Sequence, residues 1–309
     1  MFNRIDEASI IRHYRGAKPR SRPTLPISIE GMLLTNTAHG LGDTVILTSL
    51  PRAAFRSGRE AFIFSQSQHF STLVKYNPFF EPKMMPFWVS ADSLLCSYNL
   101  GNGHFMQRLH RAWGLPPDLR PHGCIELPNP STIPRSVVLH FEPGPHVAWQ
   151  RQHVHPRARE IYPETLAAIQ HFVVSHSDMS FFEIGTHSSG LDGVENCTGL
   201  NLEETLFKIG SCEFFLGIMS GPLHLAAALG LKIITIVNFP KASQIVLPLL
   251  IDVDVVESQW LYPQSVILHQ EDDGTLVKRF SYENLVRAFA GEVYPYWSDR
   301  YLPLLLEKI

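Results

Sequence analysis

The chain has 309 residues, of which 45% are hydrophobic and 18% are charged, and its formal net charge is -3. Such a composition predicts a globular protein with room for two domains, and the nearly balanced charge argues against nucleic acid as a partner. No apolar run reaches the roughly 18 residues of a membrane-spanning helix, and we expect no secretory signal. The cysteines lack metal-ligand spacing, which indicates reduced thiols in a cytoplasmic protein.

Residues 1–22 form a basic N-terminal arm, because arginines and lysines outnumber the acids Asp6 and Glu7. A solvated extension fits this composition. Contact with an anionic membrane surface or an anionic acceptor fits it as well. The role of the arm therefore stays open.

From residue 23 onward, strand and helix signals alternate, which is typical of parallel sheets covered by helices on both faces. Prolines accumulate between residues 116 and 134 and predict a linker at about 126–135, so we place an N-terminal domain at residues 23–133 and a C-terminal domain at 134–309. We expect the helical tail, 282–309, to pack back on the N-terminal domain. The predicted strands are 31–37, 59–65, 135–141, 179–185, 212–217, 231–237 and a hairpin at 265–280, and the predicted helices are 43–56, 104–114, 163–175, 201–209 and a short one from Pro222.

The first loop contains Gly40 and Gly42, which suggest the dinucleotide-binding pattern G-x-G-x-x-G. The third glycine position holds Val45, and Glu60 begins the next strand instead of ending it, so a nicotinamide-dependent oxidoreductase is disfavoured. Asp43 instead begins the following helix. It fits a helix N-cap with a purely stabilising role. A fixed carboxylate there would also compete with phosphate for the helix N–H groups, which favours a phosphate site in the second half of the chain and leaves Asp43 as a candidate base.

Residues 211–238 are predicted to form a strand, a tight turn, a helix and a second strand. Pro222 is predicted at the first helical position and Gly230 at a left-handed C-terminal cap. The N–H groups at this helix start, together with Ser220, Gly221 and His224, form a candidate phosphate site. A βαβ unit with no ligand fits the same residues.

The two motifs, GLGDTVILTSL at 40–50 and SGPLHLAAALG at 220–230, resemble those of the family 9 glycosyltransferases, the heptosyltransferase-like enzymes. They occur in the family's order, and the resemblance covers about residues 31–238. It implies an α/β protein of the GT-B type, with two Rossmann-like, doubly wound parallel-sheet domains facing each other across a cleft.

The resemblance also implies an activity: inverting, metal-independent transfer of a sugar, with a nucleoside-diphosphate sugar as donor and no cofactor. ADP-heptose would be the donor and a surface glycan or glycolipid the acceptor. Asp43 would accept the proton of the acceptor hydroxyl, and Ser220, Gly221 and His224 would hold the diphosphate. The enzyme would be cytoplasmic, with peripheral contact to the membrane.

Other positions complete the predicted site, and each also fits a structural or solvated role. A cation for the diphosphate is expected before helix 163–175. No metal is predicted, because His153 and His155 lack a third ligand and Asp272 and Asp273 are typical of a turn. The candidates are Arg151, Arg157 and Arg159 for the diphosphate, Glu183 and Thr186 for the nucleotide or ribose, and Asn36, Thr37 and Gly42 for the acceptor or sugar.

Met219 departs from the family pattern, which has an aspartate immediately before Ser-Gly-Pro. A thioether is a poor acceptor for sugar hydroxyls, so the donor's identity and the activity itself are open to question. The alternative function is therefore a non-catalytic homologue that binds a nucleotide sugar or serves as a scaffold. An epimerase of similar fold finds no support in the sequence.

Overall fold

The computed structural model describes part of the chain, and every statement below concerns that part. Strands and helices alternate through it, as the sequence predicts. The described residues are 31–36, 40–58, 60–65, 67–80, 104–112, 114–117, 122–143, 160–237, 262, 265–270 and 280–292.

The N-terminal half contains a parallel pair of strands, in which Gly31 lies opposite Glu60. The helix predicted at 43–56 is two helices that meet at Thr48, because Pro51 has no N–H to continue the hydrogen bonding of the first helix. The elements are β1 (Gly31–Asn36), α1 (Leu41–Leu47), α2 (Ser49–Arg56), β2 (Glu60–Ser65), α3 (Phe70–Lys75) and α4 (Phe105–Ala112), of which α3 was not predicted.

The C-terminal half contains a six-stranded sheet in which every neighbouring pair of strands is parallel. Its elements are β3 (Ser136–His140), α5 (Pro163–Ser175), β4 (Ser180–Gly185), β5 (Glu195–Thr198), α6 (Leu202–Gly210), β6 (Phe214–Ile218), α7 (Gly221–Ala228), β7 (Lys232–Val237), β8 (Ser265–His269) and α8 (Tyr282–Phe289).

The strand order is β5-β4-β3-β6-β7-β8, which is the Rossmann order when the strands are counted from β3. The order reverses between β3 and β6, and ligands of such sheets bind at the carboxyl ends of the strands at this point. The sheet confirms the predicted α/β class, and β5 is a strand that was not predicted. β8 joins the sheet in parallel with β7, while the second strand of the predicted hairpin lies outside the described residues.

Helices cover both faces of this sheet. Successive strand residues point to opposite sides, so each strand contributes side chains to both faces. Phe215 and Ile233 face the cluster that contains α6 and α7, whereas Phe214 and Ile234 face the cluster that contains α5 and α8. The first cluster continues into α1, α2 and α4, so one apolar core joins the sheet to the N-terminal half.

The domain boundaries proposed from the sequence stay predictions. The described part of the tail, α8, packs against α5. In the described portion of the chain, no helix combines the length and the apolar character needed to cross a bilayer.

Candidate active site

Asp43 lies in the first turn of α1, at its third residue. Gly40 is the N-cap, and its carbonyl accepts hydrogen bonds from the Thr44 amide at 3.1 Å and from the Thr44 hydroxyl at 2.9 Å. Asp43 is therefore not the N-cap that one interpretation of the sequence assumed. Its side chain is only partly buried, and a Cβ atom on Gly40 would lie 2.7 Å from Asp43 Oδ2. The positive end of the helix dipole favours the ionised carboxylate at this position.

Ser220 is the N-cap of α7, and its side chain does not cap the helix. Its buried hydroxyl donates to the Ile218 carbonyl at 3.2 Å and lies 3.0 Å from His140 Nδ1. Because a hydroxyl has one proton, Nδ1 of His140 is the donor in the second bond. The pair joins the end of β3 to the turn after β6, at the point where the strand order reverses. The helix thus begins at Gly221, and the Ser220 side chain accepts no hydrogen bond from its first N–H groups.

The starts of α1 and α7 are in direct contact. A Cβ atom on Gly42 would lie 2.5 Å from Cδ2 and 3.0 Å from Nε2 of His224, and one on Gly221 would lie 2.9 Å from Cβ of Leu41. Each helix therefore has a glycine where the other approaches. The two motifs, distant in sequence, meet at one place, with Asp43 adjacent to the residue that touches His224.

His224 is buried in the first turn of α7, and its Nδ1 lies 2.8 Å from the hydroxyl of Tyr262. Burial raises the pKa of the Tyr262 phenol, so the phenol keeps its proton. Tyr262 was not predicted as a site residue, because nothing in the sequence around it connects it with the helix that carries His224.

Glu183, a candidate for the ribose, bonds to the loop that follows β4. It is buried, and its carboxylate accepts hydrogen bonds from the Ser188 hydroxyl at 2.8 Å and from the Ser189 amide at 2.9 Å. These bonds hold the loop after β4, and a contact of Glu183 with a ribose stays a prediction.

Thr186 lies at the exposed carboxyl edge of β4, but its partner is a residue that the sequence analysis missed. Its hydroxyl donates to Glu142 Oε1 at 2.8 Å, its amide also donates to this carboxylate, and Nδ1 of His187 lies 2.7 Å from Oε1. These hydrogen bonds outweigh partial burial and lower the pKa of Glu142. The carboxylate of Glu142, bonded to the Thr186 hydroxyl, therefore lies at the sheet edge beside the point where the strand order reverses.

Several predicted site residues lie outside the described part of the chain, namely Thr37, Arg151, Arg157 and Arg159, together with His153 and His155. Asn36 is described as the last backbone position of β1. Among the described residues, no cluster of three or more histidine, cysteine, aspartate or glutamate side chains could hold a metal ion.

His140 makes stability depend on pH. Desolvation lowers its pKa from 6.5 to about 4, although the charge of Glu142 opposes the shift. Between these values the unfolded chain binds a proton that the folded chain does not, so stability falls as the pH falls. The unfolding free energy of the wild type should be lower at about pH 5 than at about pH 7.5. We expect His140→Gln to make this difference smaller by about 2 kcal/mol, as measured by urea titration. The exposed His171→Gln variant is the control; equal pH dependence in both variants would contradict the assignment.

Solved structures with a similar fold exist, although sequence comparison finds no relative. No protein-family model matches the sequence, and no curated protein matches it significantly. Among solved structures, the glycosyl transferase family 9 protein from Veillonella parvula DSM 2008 matches with a TM-score of 0.56 and 11% identity, over 86% of this chain and 98% of that chain. The heptosyltransferase WaaC of E. coli, solved with ADP, matches with a TM-score of 0.54 and 13% identity, over 85% of this chain and 99% of that chain.

This chain shares its fold with these two proteins, a family 9 glycosyltransferase and a heptosyltransferase. A third similar structure, the E. coli ADP-heptose lps heptosyltransferase II, has a TM-score of 0.51 and 12% identity, with 85% of this chain and 99% of that chain covered. The likeness confirms the GT-B architecture that the two motifs implied. At these identities the likeness shows the fold alone.

Proposed function

We propose that this protein is an inverting, metal-independent glycosyltransferase that moves a sugar from a nucleoside-diphosphate donor to an acceptor hydroxyl. The observation that carries the proposal is the contact between Gly42 and His224. This contact packs the residue next to Asp43 against the first turn of α7, at the carboxyl edge of a doubly wound sheet, where ligands of this architecture bind. Acid–base chemistry and anion binding are thereby available at one place.

Asp43 is the proposed general base. Its first-turn position favours the ionised form, and its side chain is partly exposed. As the acceptor oxygen forms its bond to the anomeric carbon, the hydroxyl proton passes to the carboxylate. Such a role is typically worth about 10² to 10⁴ in rate.

The start of α7 is the proposed diphosphate site. The bond from the anomeric carbon to the phosphate oxygen breaks, and its electron pair leaves with the nucleoside diphosphate. The N–H of Gly221 and the imidazole of His224 would stabilise this charge. A helix terminus contributes about 0.3 to 2 kcal/mol, whereas enzymes lower barriers by at least about 8 kcal/mol. We therefore retain Arg151, Arg157 and Arg159 as candidates for a further cation.

ADP-heptose is the proposed donor and a surface glycan or glycolipid the proposed acceptor. The support for ADP is that a protein of the same fold was solved with ADP. Met219, which packs partly buried against the core at this turn, supplies no carboxylate for a donor sugar. The cytoplasmic location and the peripheral membrane contact also stay part of the proposal.

A thermal-shift panel of ADP, GDP, UDP, CMP and dTDP tests the donor site. A nucleotide at about 100 times its dissociation constant stabilises the folded state by about 2.7 kcal/mol, and we expect ADP to give the largest shift. His224→Ala should reduce the ADP shift more than the adenosine shift. A flat response to all five nucleotides would contradict the proposal. Binding of a donor without transfer to any acceptor would instead support a non-catalytic homologue.

A further inference from the structure

Tyr262 lies between two histidines that come from different parts of the chain. It is fully buried, its ring centroid is 4.7 Å from that of His104 at the start of α4, and it meets the His224 ring edge-on at 5.6 Å. His104 is itself fixed, because its Nδ1 accepts a hydrogen bond from the Met106 amide at 3.2 Å. The phenol is therefore held from both sides, with its hydroxyl 2.8 Å from Nδ1 of His224.

The direction of this hydrogen bond follows from burial. Within the described part of the chain, the Tyr262 hydroxyl has no hydrogen-bond partner besides His224. If Nδ1 of His224 were the donor, the phenolic proton would be buried without an acceptor, which is costly. Burial also raises the pKa of the phenol, so the proton is present at every physiological pH. The hydroxyl of Tyr262 thus donates, and Nδ1 of His224 accepts.

A neutral imidazole that accepts at Nδ1 has its proton on Nε2. The edge of the ring formed by Cδ2 and Nε2 is the edge that faces Gly42, at the junction of α1 and α7. We infer that Tyr262 is a positioning residue, which fixes His224 in the Nε2–H form and directs that donor toward the start of α1. This inference rests on the proposed function, because it takes a phosphate oxygen of the leaving nucleoside diphosphate as the acceptor of the hydrogen bond from Nε2–H.

A purely apolar packing role for Tyr262 is the competing explanation. The ring alone would satisfy the contacts with His104 and His224, and phenylalanine would supply the same ring. The hydroxyl adds a buried polar group, whose desolvation is offset by its bond to His224. The two explanations therefore differ only in what happens when the hydroxyl is removed and the ring is kept.

The test is the tautomer of His224 in the full-length chain, measured by two-bond ¹H–¹⁵N correlation on protein with ¹⁵N-labelled histidine. The His224 signal is assigned by its loss in His224→Ala. We expect the Nε2–H form in the wild type, and a shift toward Nδ1–H or a mixture in Tyr262→Phe. Tyr282→Phe, in which a ring stacked on His171 loses its hydroxyl, is the matched control and should leave the signal unchanged.

An Nδ1–H signal in the wild type would overturn the inference even if Tyr262→Phe did not fold. An unchanged Nε2–H signal in a folded Tyr262→Phe variant would overturn it as well. The second readout is binding: Tyr262→Phe should weaken ADP about tenfold and adenosine less than about twofold, as for loss of a donor to a charged group. A tautomer shift with no change in ADP affinity would also count against a positioning role.

Failure of the proposed function gives a different result. If the donor site is absent, wild-type protein would not bind ADP or any other nucleoside diphosphate, while the His224 tautomer would still respond to Tyr262→Phe. A non-catalytic homologue would bind ADP but transfer no sugar. The tautomer measurement thus tests the hydrogen bond between Tyr262 and His224, and the nucleotide measurement tests whether that bond contributes to diphosphate binding.

Discussion

Asp43→Asn is expected to lower the turnover number at least about a hundredfold while the affinity for nucleoside diphosphate stays within about twofold. The amide has nearly the shape of the carboxylate but cannot accept the acceptor's proton. Because Asp43 lies next to the residue that contacts His224, and not on α7 itself, the diphosphate site should remain intact. Steady-state kinetics with an ADP-sugar donor, together with calorimetry for ADP, separates the two effects.

Glu164→Gln is the matched control for this substitution. Glu164 is an exposed carboxylate in the first turn of α5, so its amide removes a similar interaction with a helix dipole, typically about 0.3 to 1 kcal/mol. Both variants should lose similar stability, and only Asp43→Asn should lose turnover. Equal turnover in the two variants would remove Asp43 from the mechanism and leave it a helix-stabilising residue.

Gly42→Ala is expected to weaken nucleoside-diphosphate binding about tenfold or more. The new methyl group would lie 2.5 Å from Cδ2 of His224, so the ring or one of the two helices must move. Overpacking of this kind costs about 1 to 3 kcal/mol, and tenfold in affinity corresponds to about 1.4 kcal/mol. Calorimetric titration with ADP measures the loss, and adenosine serves as the phosphate-free ligand.

The double variant with His224→Ala shows whether the clash is the cause. Once the ring is gone, the methyl group at position 42 has room, so adding Gly42→Ala to His224→Ala should change ADP affinity by less than about twofold. A full additional tenfold loss would mean that Gly42 acts through something other than His224. It would also weaken the argument that the two helix starts form one site.

The sequence predicted the parts of the fold that local chemistry determines. Pro222 and Gly230 mark the two ends of α7, and the structure gives Gly230 the positive φ of 81° that a left-handed cap requires. The helix at Pro163–Ser175 is found as predicted, with its proline in the first turn. The split at Thr48 was missed because one missing amide, at Pro51, decides it within an otherwise helical run.

The candidate site was predictable where a motif is continuous and not where the fold assembles it. Asp43 and His224 each belong to a short motif, so their proximity could be expected from the order of the motifs. Tyr262, 38 residues from His224, belongs to none, and the sequence gives no sign that its hydroxyl reaches an imidazole. The places of His140 and Glu142 in the site depend on the strand order, which the sequence does not show. They reach this edge because β3 lies between β4 and β6.

A crystal structure of the protein with ADP tests the central claim most directly, since that claim concerns where the phosphates and the base lie. We predict a phosphate oxygen within hydrogen-bond distance of the Gly221 amide and of His224 Nε2, with the carboxylate of Asp43 facing the same space. ADP bound elsewhere on the sheet, or an Asp43 carboxylate turned away from the phosphates, would contradict the account.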